Sequence, residues 1–305
     1  MKTANPKYDL VLIGSYTKDT VVSSGRSRVV DGGGFNYGAH AAVLMGLRTA
    51  AVTRLSADDV HVVQALVSLG VDVFPTYTAH STHLELYYPT SNVDERTITV
   101  MRTAGSFSAD QVRGLEASAF VINTSLRGEA GEDVVLELRK KKALLAADAQ
   151  GFIRALAPDR TLAYAPWPEK KQIVANFDIL KTDAVEAEAL TGIRDIREAA
   201  AALTGWGPKE IVLTHRDGLL VLADGVCYQA PWCPKQLIGR SGRGDTCLAA
   251  YVGRRLTASP EKATVWAAAL TSLKMEAEGP ITKGLEDVEE VLGRYPSGSR
   301  EGARN

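Results

Sequence analysis

Apolar and polar positions in the first part of the chain follow the pattern of alternating strands and helices. The run YDLVLIGS, which reaches Gly14, predicts a strand that is buried on both faces. A triple glycine at 32–34 leads into an alanine-rich segment that closes near Gly46, and a second apolar run covers residues 49–55. Strand, helix and strand in this order predict the first β-α-β unit of a parallel sheet.

The same alternation continues through the second half of the chain. Helix-like segments separate strand-like runs at AFVINTS, ALLAADAQG, ANFDILKTD, EIVLTH and GLLVLADG, and the last third has helical periodicity. Such units predict an α/β fold, an open and mostly parallel sheet with helices on both faces. We expect a single domain over residues 1–294 and a flexible tail over residues 295–305.

From Val71 the pattern changes to strict alternation of apolar and polar residues. The alternation breaks at PTSNVDER, which predicts an antiparallel hairpin with one face in water. Residues near 15–30 and 72–105 are therefore expected to form a small β-sheet lid over a site at the strand ends. The run HLELYY in this lid is compatible with a homodimer formed through the lid.

Composition and charge narrow the class of protein. The 305 residues are 45% hydrophobic and 23% charged, as in ordinary globular proteins. The 35 Lys and Arg balance 36 Asp and Glu, so we expect no nucleic-acid partner. The absence of a signal-like start or a long apolar run predicts no membrane partner and a cytoplasmic location. Three widely spaced cysteines argue against a disulfide framework.

The stretch SGRGDTCLAAYV, which starts at residue 241, carries the strongest chemical signal. Leu248, Val252 and Leu256 are spaced i, i+4 and i+8, so a helix with one buried face follows Asp245. Free amides in its glycine-rich first turn would hold a phosphate-sized anion. Asp245 beside that anion suits a general base acting on a hydroxyl that attacks phosphorus, and the alternative is that Asp245 is the helix N-cap.

Three further segments, together with this stretch, resemble the ribokinase-like family of sugar and nucleoside kinases. GGGFNYGAHAAVLMG is similar to the family's paired-glycine motif, KTDAVEAEALTG to its Asn-x-x-Glu segment and VLTHRDG to its nucleotide loop. The likeness runs from Tyr8 to about Arg294 in the family's order. It implies a ribokinase-like fold and an ATP- and Mg²⁺-dependent kinase that phosphorylates a small polyol or sugar.

The resemblance also implies roles for individual residues. Asp245 would be the catalytic base, and the backbone amides of Gly242, Arg243 and Gly244 would form the anion hole. Glu186 would order the magnesium ion and its waters. The implied cofactor-binding residues are Asp183, which takes the place of the family's asparagine, Glu186, Thr214 and Gly218. Whether a monovalent cation assists the anion hole is left open by the sequence.

On the acceptor side, Asp19, Gly33 and Gly34 would frame the substrate hydroxyls. The paired-glycine motif has two registers: counting from the glycines places Asn36 at the substrate, whereas counting back from Gly46 places Tyr37 there. A tyrosine at this position resembles the inositol-kinase branch of the family.

The run DAQGFIRAL resembles the same branch and makes Gln150 and Arg154 candidate pocket residues. The competing interpretation is that Gln150 closes a turn and that Arg154 pairs with a surface carboxylate.

Two departures from the family pattern affect the anion hole. Gly239 and Arg240 stand where the family has Asp-Thr, and Arg243 replaces an alanine. The Arg243 guanidinium either neutralises the transferred phosphate or points into solvent.

Two other functions fit the same fold. One is a nucleoside kinase, with Tyr37, Tyr77 and Tyr87 as an aromatic platform for a base. The other is a catalytically silent sugar sensor. The retention of Asp245 argues against this function.

Overall fold

The computed structural model describes residues 7–23, 25–90, 96–239 and 241–295. Arg240, residues 91–95 of the predicted hairpin and the predicted tail from residue 296 onward lie outside the described residues. The strands are β1 (Tyr8–Ile13), β2 (Thr17–Ser23), β3 (Arg26–Gly32), β4 (Thr49–Ser56), β5 (Asp72–Thr78), β6 (Thr82–Tyr88), β7 (Thr97–Arg102), β8 (Ala117–Ile122), β9 (Leu144–Asp148), β10 (Arg154–Leu156), β11 (Leu162–Tyr164), β12 (Ile179–Asp183), β13 (Glu210–Thr214), β14 (Gly218–Ala223) and β15 (Val226–Pro231). The helices are α1 (Gly34–Leu44), α2 (Val60–Ser68), α3 (Asp110–Arg113), α4 (Glu132–Arg139), α5 (Gln150–Ile153), α6 (Lys170–Val174), α7 (Ala184–Thr191), α8 (Ile196–Thr204), α9 (Arg243–Arg255), α10 (Pro260–Met275) and α11 (Leu285–Leu292).

The main sheet has the order β15-β14-β13-β12-β9-β8-β1-β4-β5. Its strands are parallel from β13 to β5, and β14 and β15 extend it as antiparallel edge strands. Leu10 and Leu12 of β1 belong to one core cluster and Val11 and Ile13 to the other, on opposite faces of the sheet. The predicted α/β fold, with its central strand buried on both faces, is confirmed.

A separate four-stranded sheet, with the order β3-β2-β6-β7, forms the lid. The hairpin predicted across PTSNVDER is the antiparallel pair β6–β7, and β2 pairs antiparallel with β3. Leu84, Leu86 and Val100 form a small apolar core of its own. The expectation that the lid starts at residue 72 was wrong, because β5 pairs in parallel with β4 at the edge of the main sheet. An edge strand with one wet face has the same alternating pattern as a lid strand.

Alanine-rich helices cover one face of the sheet near the site. Helices α1, α9 and α10 contribute small buried residues to the larger core cluster. Gly38 of α1 lies so close to Ala249 of α9 that an added Cβ would come within 3.2 Å of the alanine methyl. Small residues therefore let the amino-terminal ends of α1 and α9 approach each other. No helix among the described residues is long and apolar enough to cross a membrane.

Candidate active site

A cleft lies at the carboxyl ends of the parallel strands, between the main sheet, the lid and the hairpin β10–β11. It consists of an outer cavity of about 570 Å³ and a smaller inner chamber of about 80 Å³. The two share walls formed by Arg96, Ile98, Gln150, Arg154, Leu162, Ser241, Gly242 and Asp245. Because the shared wall includes Asp245 and the start of α9, one ligand in each compartment would meet at this helix end.

The glycine-rich loop ends in α9 as the sequence predicts. Gly242 is the N-cap in the left-handed region, with φ of 76°, and the first intrahelical bond runs from the Thr246 amide to the Gly242 carbonyl at 2.9 Å. The amides of the first turn therefore open into the cleft, where the helix dipole favours an anion. An added Cβ on Gly242 would overlap the Tyr37 ring, so this position requires glycine in both backbone angle and space. We call the loop and this first turn, residues 241–245, the cradle.

Asp245 is the third residue of α9 and not its cap, so the alternative N-cap interpretation was wrong. Its Oδ1 accepts a long hydrogen bond of 3.4 Å from Nε2 of Gln150. That amide also donates to Oδ1 of Asn123 at 3.3 Å, and the Gln150 backbone amide donates to Asp148 at 3.0 Å. Gln150 thus begins a helical turn rather than closing one, contacts Asp245 and lines both compartments. Its role as a substrate-pocket residue stays a prediction.

A buried cation that the sequence analysis missed lies directly behind the cradle. Lys181, at 3% exposure, forms an ion pair of 2.9 Å with Asp148 and lies 3.9 Å from Glu186. An added Cβ on Gly244 would come within 2.6 Å of its Nζ. Burial lowers the pKa of the Lys181 ammonium, but the surrounding carboxylates raise it by more, so Lys181 stays charged. A single lysine in the apolar strand ILKTD gives no periodic signal of this role.

Arg154 lines both compartments and pairs with the buried Glu186 at 2.8 Å. The other oxygen of Glu186 accepts the Asp183 amide at 2.9 Å, and Asp183 accepts the Glu186 amide at 2.8 Å in a capping box at the start of α7. Burial raises the pKa of Glu186, but Lys181 and Arg154 lower it by more, so the carboxylate is ionised. The competing interpretation, a pair with a surface carboxylate, was wrong, because the partner carboxylate of Arg154 is buried. The role of Arg154 at the substrate stays a prediction.

The positions of Asp183 and Glu186 limit how a magnesium ion can bind in the outer cavity. Glu186 does not line either compartment, and both of its oxygens already accept hydrogen bonds from protein groups. Asp183 lines the outer cavity, and no cluster of three metal-binding side chains occurs among the described residues. A Mg²⁺ ion that keeps most of its waters and binds chiefly through phosphate oxygens would fit this site, and Asp183 would hold it from the protein side. The metal role of Glu186 stays a prediction.

The inner chamber gathers polar atoms that have no partner in the described structure. Asp19, Gly33, Gly34 and Tyr37 line it, and both Oδ1 of Asp19 and the Tyr37 hydroxyl are buried without a hydrogen bond. Burial raises the pKa of Asp19 to about 7. Asn36 does not line the chamber, because its amide turns toward the Asp31 carbonyl at 3.5 Å. Of the two registers, the structure places Tyr37 at the ligand side.

The far side of the outer cavity is formed by the loop after β13. Thr214, His215 and Arg216 line it, whereas Gly218 starts β14 and its carbonyl accepts the His215 amide at 2.9 Å. Arg243 also lines this cavity, and its guanidinium lies 6.0 Å from the Trp232 ring centroid. Trp232 is in turn fixed by a 2.9 Å hydrogen bond to the His215 carbonyl.

A mostly parallel α/β sheet with a β lid, and a cleft that joins a helix amino terminus to a chamber of unpartnered polar groups, is an arrangement typical of small-molecule kinases. The chain belongs to the pfkB family of carbohydrate kinases, whose family model matches residues 3–287. This finding confirms the resemblance read from the sequence.

Individual relatives cover nearly the whole fold. A structure described as a pyrophosphate-dependent kinase in the ribokinase family, complexed with a pyrophosphate analog and myo-inositol, is 35% identical and has a TM-score of 0.85 over 92% of this chain and 99% of that one. Ribokinase of Arabidopsis thaliana, complexed with ribose and ATP, has a TM-score of 0.74 at 20% identity over 94% of this chain and 99% of its own, which supports the fold. A cytidine kinase of Thermococcus kodakarensis is 27% identical over 247 residues, 78% of this chain and 84% of the relative.

Proposed function

We propose that this protein is a kinase that phosphorylates a hydroxyl of a small uncharged cyclic polyol, with an inositol as the first candidate, and that its phosphate donor is pyrophosphate. The observation that carries the acceptor is the set of unpartnered buried oxygens in the inner chamber. Oδ1 of Asp19 and the Tyr37 hydroxyl need polar partners, because buried polar atoms are rarely left without one. A ring carrying several hydroxyls supplies donors and acceptors to both, beside Asp245.

The donor follows from the charges around the cradle. Lys181, Arg216 and Arg243 surround the start of α9 in the outer cavity. Two guanidinium groups, a lysine that also pairs with Asp148 and a helix amino terminus suit the charge of a short polyphosphate. The apolar side chains Ile98 and Leu162 are on the wall shared with the inner chamber. Tyr164 and Val185 are 44% and 60% exposed, so the larger apolar side chains of the outer cavity offer a purine no deeply buried slot. The pyrophosphate-dependent relative at 35% identity supports this choice over the ATP expected from the sequence.

In the proposed reaction, a hydroxyl in the inner chamber attacks the near phosphorus of the donor in line with its bridging oxygen. Asp245 accepts the hydroxyl proton, and the amides of Gly242, Arg243 and Gly244 hold the transferred phosphoryl group. Lys181 and Arg243 stabilise the departing phosphate. Mg²⁺, when bound, neutralises donor oxygens. The lid and the hairpin β10–β11 exclude water that would otherwise hydrolyse the donor.

A nucleoside acceptor is the second candidate because of the cytidine kinase relative. The geometry gives it less support, since of the three tyrosines expected as a base platform only Tyr37 lines the inner chamber, and Tyr77 and Tyr87 do not. Their exposures are 51% and 49%.

The test is a matrix of acceptors and donors. Inositol isomers, ribose, fructose and cytidine are each incubated with pyrophosphate or ATP, and the phosphorylated product is detected by ³¹P NMR. We expect turnover of an inositol with pyrophosphate, and a loss of about 10³-fold or more in Asp245→Asn, which cannot accept the proton. Exclusive turnover of cytidine would contradict the acceptor, at least tenfold better use of ATP would contradict the donor, and polyol binding without turnover with either donor would indicate the silent sensor.

A further inference from the structure

A second buried lysine lies at the loop that leads into the cradle. Lys274, in the last turn of α10, is 1% exposed. Its Nζ donates a 3.0 Å hydrogen bond to the carbonyl of Gly239, three residues before the cap of α9, and lies 5.4 Å from the Tyr37 ring centroid. The Tyr37 ring itself lies against Gly242. One ammonium group therefore contacts both the loop that enters the cradle and the ring that supports it.

The entering loop is attached to the same end of α10 through its backbone. The amides of Ile238 and Gly239 donate to the Met275 carbonyl at 2.9 and 3.0 Å. A Cβ on Gly239 would overlap the Ala277 carbonyl, so the loop packs directly on the chain that leaves the helix. The position of the cradle is therefore set by α10, and Lys274 is the charged group at that junction.

Resting on the proposed function, we infer that Lys274 is a positioning residue that holds the cradle in its phosphate-binding geometry and, while protonated, supplies it with a positive charge. A fixed ammonium in a region sheltered from water acts on developing phosphate charge more strongly than a mobile ion in solution. Because this ammonium already occupies the Gly239 carbonyl, phosphoryl transfer needs no monovalent cation at that point.

The charge of Lys274 is sensitive to pH. Burial lowers the pKa of the ammonium to about 8, while Glu278 and Asp245 oppose this shift. Glu278 is paired with Arg28 of the lid at 2.9 Å, so part of its charge is already balanced. Phosphoryl transfer should fall as the pH rises through about 8, where the ammonium loses its proton.

Stability should respond in the opposite direction. A lysine whose pKa is lower in the folded state binds fewer protons there than in the unfolded chain, so its charge opposes folding below the folded pKa. As the pH rises through about 8, this opposition is relieved. A loss of activity without a loss of stability therefore separates the proposed role from simple packing.

The experiment compares wild type with Lys274→Met, Lys274→Arg and Lys274→Ala, and uses Lys262→Met on the exposed first turn of the same helix as the control. Turnover with pyrophosphate and an inositol is measured from pH 6 to 10 in sodium, potassium and tetramethylammonium buffers. Thermal midpoints are measured in parallel. The affinity for pyrophosphate alone is measured by calorimetry, which gives a readout independent of the acceptor.

We expect Lys274→Met to lower kcat about tenfold or more, to change the acceptor KM less and to abolish the fall near pH 8. Lys274→Arg should keep most of the activity and move the fall to higher pH. Lys274→Ala should regain activity with ammonium or methylammonium, and wild type should be indifferent to the buffer cation. The thermal midpoint of Lys274→Met should stay within about 3 °C of wild type.

Two outcomes would overturn the inference: full activity of Lys274→Met with an unchanged pH profile, or a potassium requirement in wild type equal to that in Lys274→Ala. If wild type binds pyrophosphate but phosphorylates no acceptor, the proposed function fails. Lys274 is then judged by whether Lys274→Met weakens pyrophosphate binding at pH 7 and removes its decline toward pH 9.

Discussion

Arg243 is the cradle residue that the family pattern does not supply, and its position makes a sharp prediction. Its guanidinium lines the outer cavity beside Trp232, where it would meet the departing phosphate rather than the acceptor. Arg243→Ala should lower kcat about tenfold or more and raise the acceptor KM less, because the lost charge acts mainly in the transition state. Steady-state kinetics with varied inositol at saturating pyrophosphate measures both constants.

Arg243→Lys tests the geometry of the same charge and should recover part of the turnover, since an ammonium lacks the planar fork. The matched surface control is Arg194→Ala, because the Arg194 side chain is 89% exposed in the wild-type protein. An unchanged kcat in Arg243→Ala would show that the guanidinium does not act on phosphate.

The sequence predicted Asp245, Tyr37 and Arg243 as candidate site residues because they belong to motifs with a fixed spacing. The sequence did not predict a role for Lys181 or Lys274. The fold brings both to the cradle, Lys181 from β12 and Lys274 from α10. Each is a lone cation in an apolar segment, and a lone cation has no spacing to read. What gives these lysines a role is the approach of distant elements, and that depends on three-dimensional packing.

At the scale of elements, the hairpin β10–β11 joins the lid to the main domain. Arg160 at its turn donates from Nε and Nη2 to the carbonyls of Val100 and Met101, each at 2.8 Å, and its own carbonyl accepts the Val100 amide at 2.8 Å. Leu162 of the same hairpin lines both compartments and packs on the lid core. The hairpin therefore ties lid position to the shape of the acceptor site.

Loss of the Arg160 side-chain hydrogen bonds to the lid should weaken binding of the acceptor. Arg160 has φ of 68°, and asparagine tolerates that region, so Arg160→Asn removes the guanidinium with little backbone strain. Two lost hydrogen bonds should raise the acceptor KM about fivefold or more and increase pyrophosphate hydrolysis in the absence of acceptor. Kinetics and phosphate release measure the two effects. Arg102→Ala is the control, because Arg102 lies on β7 together with Val100 and Met101. Equal effects in both variants would contradict the proposed link between the hairpin and the lid.

The sequence predicted the long, periodic elements of the main sheet and the lid hairpin, but not this short hairpin. Three-residue strands such as β10 and β11 are too short to show a period of two. The same limit explains β5, whose alternation indicates one wet face without indicating which sheet it joins. Pairing partners depend on contacts distant in sequence, and these are set by the fold as a whole.

At the scale of the whole molecule, the formal charge of −1 hides a strongly uneven distribution. The outer cavity is lined by Arg96, Arg154, Lys181, Arg216 and Arg243, with Asp183 and Asp245 as its acidic residues. A net charge of the whole chain could not reveal a local excess of positive charge inside one cleft. That excess suits a small polyanion and not an extended one.

The buried charges behind this cleft also make a prediction about global stability. Lys181, Asp148, Glu186 and Arg154 bring two cations and two carboxylates together from β9, β12, α7 and the start of β10. Lys181→Met leaves buried carboxylates with a single cation and should lower the free energy of unfolding by about 3 kcal/mol, because breaking a buried pair strands its partner.

Urea titration of the full chain measures this loss, provided that fluorescence and circular dichroism give one coincident transition. Lys181→Met combined with Asp148→Asn removes both members of the 2.9 Å pair and should recover much of the loss. Lowering the pH should also relieve the single variant, because protonation of Asp148 discharges the stranded carboxylate. Strictly additive losses would mean that the pair contributes no mutual stabilisation. In that case the proposed contact with the phosphate donor, and not the pair with Asp148, would account for a lysine at position 181.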